Sequence, residues 1–303
     1  MRARLLNRPC FVGRPNQTEA EPPESGTTSS STVAAMPTDR PARRLLDAPT
    51  VVAIAIVAYV LADVLHEAVG HGGTCDLTGG KPLVLSTVHF DCGGDSRWVA
   101  AGGTLVNLAA GAVSLGLLQL ARDASAHLRY FLWLFMTVNL LQGGGYFLFS
   151  GVANVGDWAA VVAGLRPVWL WRVGLALLGC LTYFGFVWIA LLQMGRIVGG
   201  EEPERSRRAG QLALVPYVTG GIVSCLAGLL NPVGIVLVGI SAAAASFGGT
   251  SGLAWMMQVL PSEWIPKAPA SPLIIPRHWG WMATGGALLT AFVLALGPGV
   301  RLS

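Results

Sequence analysis

Long, nearly uncharged stretches of about 20 residues recur along this chain, and any fold must place them where water is not. The first runs from about Pro49 to His71, the second from Trp98 to Ala121, and the third from Tyr130 to Ser150. A fourth follows "GLRP", from Val168 to Met194. A fifth covers Leu212 to Leu230, a sixth Val233 to Leu260 with "SFGGTSG" inside it, and a last one Gly280 to Leu296. Only 12% of the residues are charged, against about 25% in a soluble domain, and the charges collect between the stretches. The expected fold is therefore all-α, a polytopic transmembrane helix bundle of six to seven crossings. Membrane lipid is its expected surrounding.

Domain organisation follows the same composition. Residues 1–47 hold "EAEPPESGTTSSST", too poor in apolar side chains to fold, and are expected to be a disordered tail. Met36, ahead of "PTDRPARRLL", is a candidate start. Residues 48–160 contain the interesting polar groups, and 161–303 supply further crossings of unassigned role. Arg40, Arg43 and Arg44 precede the first crossing, Arg122 and Arg129 follow the second, and Arg196, Arg205, Arg207 and Arg208 follow the fourth. All fall on one side if the N-terminus is cytoplasmic, as the positive-inside rule asks. That implies a multi-pass protein of the plasma membrane. The net charge of +4 is thus explained by topology, and with no basic stripe or interleaved aromatics nucleic acid is not an expected partner.

The loop from Gly72 to Arg97 then faces outward and contains Cys75 and Cys92. Between them "KPLVLSTVHF" has strand character. Two readings stay open: a small hairpin closed by a disulfide, or two free thiols in a loop.

"LADVLHEAVGHGG", residues 61–73, places Asp63, His66, Glu67 and His71 at the end of the first crossing. At about 100° per residue, Asp63, His66, Glu67 and Gly70 share one face. Ionisable groups in a spanning segment usually face a bundle interior and do work there. The competing reading ends the crossing at Leu65 and leaves the polar residues at the interface. Residue identity favours function. His-Glu followed by a second His resembles the zinc-peptidase helix, in which two imidazoles hold the metal and the carboxylate is general base. The usual spacing is four; here it is five, which on a regular helix separates the rings by about 140°. Gly70 permits a π-bulge that makes i and i+5 neighbours. Alternatively the helix ends at Gly70 and "GHGG" curls His71 back. A soluble peptidase family related to the modulators of DNA gyrase has a similar His-Glu-x-x-x-His element.

Two further stretches resemble the site-two protease family of membrane-embedded zinc peptidases. "AAGGTLVNLAAGAVSL" is similar to its Ala-Gly-Pro-x-x-Asn-Leu-x-x-Ala stretch, with Gly103 in place of the proline and Asn107 at the buried Asn. "NLLQGGGYFLFSGVANVGDW" is similar to the helix that ends in the family's third zinc ligand; Asn139 matches, Gln142 replaces a proline, and the acid arrives late, as Asp157. The resemblance covers about Val51 to Trp158 and implies a Zn²⁺ site of His66, His71 and Asp157. It further implies Glu67 as base, Asn107 as support for a developing oxyanion, and a membrane-protein or peptide substrate. Asp63 is expected to orient a ligand. Rivals for the third ligand are His89, Asp91 and Cys75, and the other reading of Asp157 is a cap on the next helix beside an interfacial Trp158. The ends of crossings one and three and the start of crossing two lie toward one membrane face, which brings the three elements together. Charge counting puts that face outside, whereas many site-two enzymes keep the metal nearer the cytoplasm. A reading from another class is a transporter or proton relay through Asp63, His66 and Glu67, or a degenerate peptidase scaffold. Arg172 is expected to snorkel to the interface, His127 and His278 to be loop residues, and "SFGGTSG" to be a helix break or a close packing point.

Overall fold

The computed structural model describes residues 45–94, 96–267 and 271–302. The expected disordered tail, the start at Met36 and the arginines 40, 43 and 44 lie outside these residues. Helix α1 (Ala48–Val64) continues without interruption through a π-helical segment (Leu65–Gly72) into α2 (Gly73–Leu77). A hairpin follows, β1 (Lys81–Leu85) and β2 (Phe90–Gly93), and then α3 (Arg97–Leu120), α4 (Ala126–Ala153), α5 (Asp157–Val161), α6 (Val168–Ile197) and α7 (Glu204–Leu229). Next come α8 (Ile235–Val238), a second π-helical segment (Gly239–Gly248) and α9 (Gly252–Trp255). The chain closes with α10 (Trp279–Ala291), a third π turn (Phe292–Leu296) and β3 (Val300–Arg301).

Among the described residues six helices are long and apolar enough to cross a membrane: 48–77, 97–120, 126–153, 168–197, 204–229 and 279–296. The protein has multi-pass membrane character, with one expected helix missing. The stretch 233–260 is not a spanning helix but a broken path. Ser241 Oγ donates to the hairpin's Val88 carbonyl (2.7 Å), whereas Ile265 and Pro266 pack on Gly195 at the far end of α6. The chain thus travels from one end of the bundle to the other in short pieces. Gly248, Gly249 and Gly252 lack the side chains that would stiffen a helix, and hydroxyls take up carbonyls where regularity fails: Ser246 donates to Ala242 O and Thr250 to Ser246 O, each at 2.5 Å. Irregular backbone at membrane depth is tolerated where protein surrounds it or where it lines a cavity.

The core centres on α4. Trp133, Leu134, Met136 and Leu141 are fully buried, and α4 packs chiefly on α6 and α3. Two of its buried aromatic side chains bond across helices: Trp133 Nε1 donates to Ala190 O (2.9 Å) and Tyr130 OH to Leu212 O (2.8 Å). Helix α6 by contrast turns Leu177, Leu181, Phe184 and Trp188 outward in one stripe, the surface a lipid-facing helix needs. Ser125 caps α4 and thereby places His127 in its first turn, buried, with Nε2 at 2.8 Å from Pro276 O. His127 is therefore not the loop residue expected; His278 caps α10 through Trp281 N. Arg172 donates to the Gly151 and Val152 carbonyls at the end of α4 (3.2 and 2.6 Å) rather than only reaching outward.

Of the two readings of the Cys75–Cys92 loop, the disulfide-closed hairpin is the one found. β1 sits between β2 and the C-terminal β3, both antiparallel to it.

Candidate metal centre

The π-helical segment Leu65–Gly72 coincides with the His-Glu element. Of the two ways to bring His66 and His71 together, the helix takes the π route; it does not end at Gly70 but runs on into α2. One extra residue per turn puts i and i+5 on the same face. Close crossing by α3 is what requires glycine here: a Cβ on Gly70 would stand 2.7 Å from Gly103 N and 2.8 Å from Gly102 O. Gly103 in turn presents its bare Cα to the imidazoles, and a Cβ there would lie 2.5 Å from His66 Nε2 and 2.6 Å from His71 Nε2.

Three atoms then converge. His66 Nε2 and His71 Nε2 are 3.1 Å apart. Asp157 Oδ2 is 3.2 Å from the first and 3.6 Å from the second. Ligands at 2.0–2.1 Å from a tetrahedral zinc are separated by about 3.3 Å, so the triangle has the size that such an ion needs. The tautomer of His71 agrees: its Nδ1 lies 2.7 Å from Val99 O, an acceptor only, so Nδ1 carries the proton and the neutral ring points a lone pair at the centre. The His66 ring stacks on Tyr146, centroids 4.8 Å apart and 16° from parallel. All three of His66, Glu67 and His71 are buried, with ligand-capable atoms within 4.8 Å of one another.

Asp157 reaches the site because the chain leaves α4 through two left-handed residues, Asn154 (φ 57°) and Gly156 (φ 83°), which fold the next helix back over the imidazoles. The capping reading of Asp157 fails: Gly156 is the N-cap of α5 and no side chain bonds there. Burial pushes the Asp157 carboxyl up, but the facing His66, then His71 and the Thr104 hydroxyl, outweigh it and hold the group below its ordinary value.

Glu67 lines a cavity of about 1360 Å³ together with His71, Asp157 and Tyr146. Gln142 and the second π-helical segment form further parts of its wall. Several polar atoms here are buried without a hydrogen-bond partner among the described residues: Glu67 Oε2, His66 Nδ1, Asp157 Oδ2 and Asp63 Oδ2. Such a cluster of unsatisfied groups is rare without a ligand or ion to complete it.

Other expected residues fall differently. Asn107 is fully buried, but its amide donates to Gln142 Oε1 (3.1 Å), and it is Gln142 that faces the cavity. Asp63 Oδ2 is buried and has no hydrogen-bond partner among the described residues. Cys75 is consumed by its disulfide. His89 and Asp91 pair with each other at 3.8 Å and line the same cavity. The sequence reading missed Tyr146 and the Val99 carbonyl. Tyr146 carried a signal, four residues after Gln142 and so on the same side of α4; a backbone carbonyl carries none.

Comparison with protein-family models, with curated proteins and with solved structures finds no match for this chain. The function is accordingly argued from the site.

Proposed function

We propose that this protein is a membrane-embedded zinc metallopeptidase that hydrolyses a peptide bond within or next to the bilayer. The observation that carries the reading is the triangle of two imidazole nitrogens and one carboxylate oxygen, sized for one tetrahedral cation and bordered by a free carboxylate. His66, His71 and Asp157 would hold the ion. A zinc ion held by three protein ligands supplies Lewis acidity, which acidifies water and polarises a carbonyl.

The chain's own groups do the rest. The Glu67 carboxylate, with Oε2 unpartnered and facing the cavity, takes the proton of the attacking water and delivers it to the leaving amine. The His71–Val99 bond and the His66–Tyr146 stack hold both rings in register. Gln142, backed by Asn107, presents an amide to the cavity, where it can orient a substrate carbonyl or stabilise charge on its oxygen. The disulfide at this end, and the gathering of Arg122, Arg129, Arg196 and Arg205 at the other, support an outward-facing site and a cytoplasmic N-terminus.

A proton or cation relay is the second reading, favoured by Asp63 Oδ2, which is buried one turn before His66 and has no partner among the described residues. One pair of measurements separates them. Protein purified in chelator-free detergent is expected to hold about one zinc per chain, and Glu67→Gln to retain it. That variant should cleave synthetic transmembrane-segment peptides at least about 100-fold more slowly than wild type. Less than a tenth of a zinc per chain in the wild type would sink the peptidase reading. Proton flux in reconstituted vesicles that disappears in the same variant would replace it with the relay.

A further inference from the structure

At the opposite end of the bundle from the metal centre lies a second cavity, about 960 Å³, between the end of α3, the start of α4, the end of α6 and the segment after Ser271. Along α3 the metal centre lies beside Gly103 and this cavity beside Leu118 and Gln119, a separation of about 23 Å at 1.5 Å per residue, which is most of the hydrocarbon thickness of a bilayer. Three guanidinium groups line it: Arg122, Arg129 and Arg196. None of them makes an ion pair among the described residues, although other arginines at this end do: Arg205 with Glu202, Arg207 with Glu204. Among the described residues Arg122 and Arg196 each make a single bond, within their own turns, to Gln119 O (3.2 Å) and Gln193 Oε1 (3.5 Å).

The cavity has a second character. Its floor is apolar, with Leu118, Ile197 and Leu273 all buried. Between floor and rim, Gln119 Nε2 donates to the buried Gln193 Oε1 at 2.7 Å, bridging α3 and α6 and holding the two helix ends at a set distance. Three cations without an ion pair among the described residues, above an apolar recess at the end of membrane-spanning helices, match an anionic headgroup with acyl chains below it. Guanidinium suits phosphate oxygens in particular, because its planar fork can donate two parallel hydrogen bonds.

We propose that this pocket binds the phosphate of an anionic phospholipid, with Arg122, Arg129 and Arg196 as its donors. Inorganic phosphate offers the same oxyanion without the chains, and the test separates the two. The full-length protein in detergent is titrated with phosphatidylglycerol, with phosphatidylcholine and with inorganic phosphate, and its thermal midpoint is followed. Phosphatidylglycerol is expected to raise the midpoint by about 5 °C near saturation, and the other two to leave it almost unchanged. The triple variant Arg122→Gln/Arg129→Gln/Arg196→Gln should lose most of that rise, while Arg207→Gln, an equal loss of charge per site outside the pocket, keeps it. If the glutamine variant does not fold, the triple lysine variant, which retains the charge that orients the helices, should lose at least half of the rise, since an ammonium has no fork. Equal shifts from phosphatidylcholine, an equal shift from inorganic phosphate, or a full response in whichever pocket variant folds would each overturn the proposal.

Discussion

Gly103 shows how much of the site depends on an atom that is absent. The position that the site-two resemblance fills with proline here holds a residue whose Cβ would meet both imidazoles within 2.6 Å. Gly103→Ala is expected to push His66 and His71 apart and weaken affinity for the proposed zinc ion by about tenfold or more, the range seen when groups that position ligands are removed. Competition with a chromogenic chelator reads this directly. Gly116→Ala on the same helix, where a Cβ meets nothing within 4 Å, should leave affinity unchanged. A Gly103→Ala variant with wild-type affinity would mean that the rings are not clasped as described. Residue types were the legible part of this site. His66, Glu67 and His71 announce themselves by chemistry, whereas the choice of Asp157 among its rivals and the value of Gly103 are visible only once α5 and α3 are seen against the π segment.

At the scale of elements, the π-helical segment is the device that converts an unusual spacing into a usable face. It is bracketed by regular helix on both sides, so its geometry depends on α1 being held firmly from its start. Asp47 does that. Its Oδ2 accepts from Thr50 N (3.2 Å) and Thr50 Oγ1 (2.7 Å), and its Oδ1 from Arg277 (3.2 Å). Burial raises the Asp47 carboxyl slightly, but Thr50 and Arg277 outweigh it and lower the group below 3.8. A carboxylate lowered in the folded state contributes stability that is present above 3.8 and is lost as pH falls through the lowered value. Asp47→Ala should therefore cost about 1 kcal/mol at neutral pH, and the thermal midpoints of variant and wild type should converge in acid. A gap that stays constant down to the acid limit would contradict the role assigned to the carboxylate. The sequence reading placed α1 well and placed the break at "SFGGTSG", but it expected a spanning helix around that break. Apolar content was sufficient for a crossing; what interrupted it was local backbone freedom at Gly248, Gly249 and Gly252, which a hydropathy count does not weigh.

On the scale of the whole molecule, the hairpin is an outer wall of the cavity rather than an ornament on a loop. Phe90 of β2 packs on Gly72 at the end of the π segment, β3 from the C-terminus closes the other edge of β1, and the disulfide ties α2 to β2 across 17 residues. A closure of that length stabilises by about 3 kcal/mol in the chain-entropy account. Cys75→Ser/Cys92→Ser is expected to lower the unfolding free energy by about that amount, measured by denaturant titration in detergent, and reductant should bring wild type to the variant's level. Insensitivity of wild type to reductant would remove the hairpin from the stabilising framework. The pairing with β3, a partner more than 200 residues away, left no trace in the sequence, because two residues of an edge strand carry no pattern of their own.

The order of apolar stretches, the charges between them and the identity of the polar groups in the first crossing were determined by the sequence itself. Lipid solvation and ligand chemistry act on residue type, and residue type is what a sequence records. Whether His66 and His71 meet, whether Asp157 or a rival completes the trio, and whether Asn107 or Gln142 faces the cavity were decided by the tertiary structure alone. Each depends on how closely two helices approach and in which register, and that is set by the shapes of residues distant in the chain, here above all by glycines that allow α3 to press against the π turn.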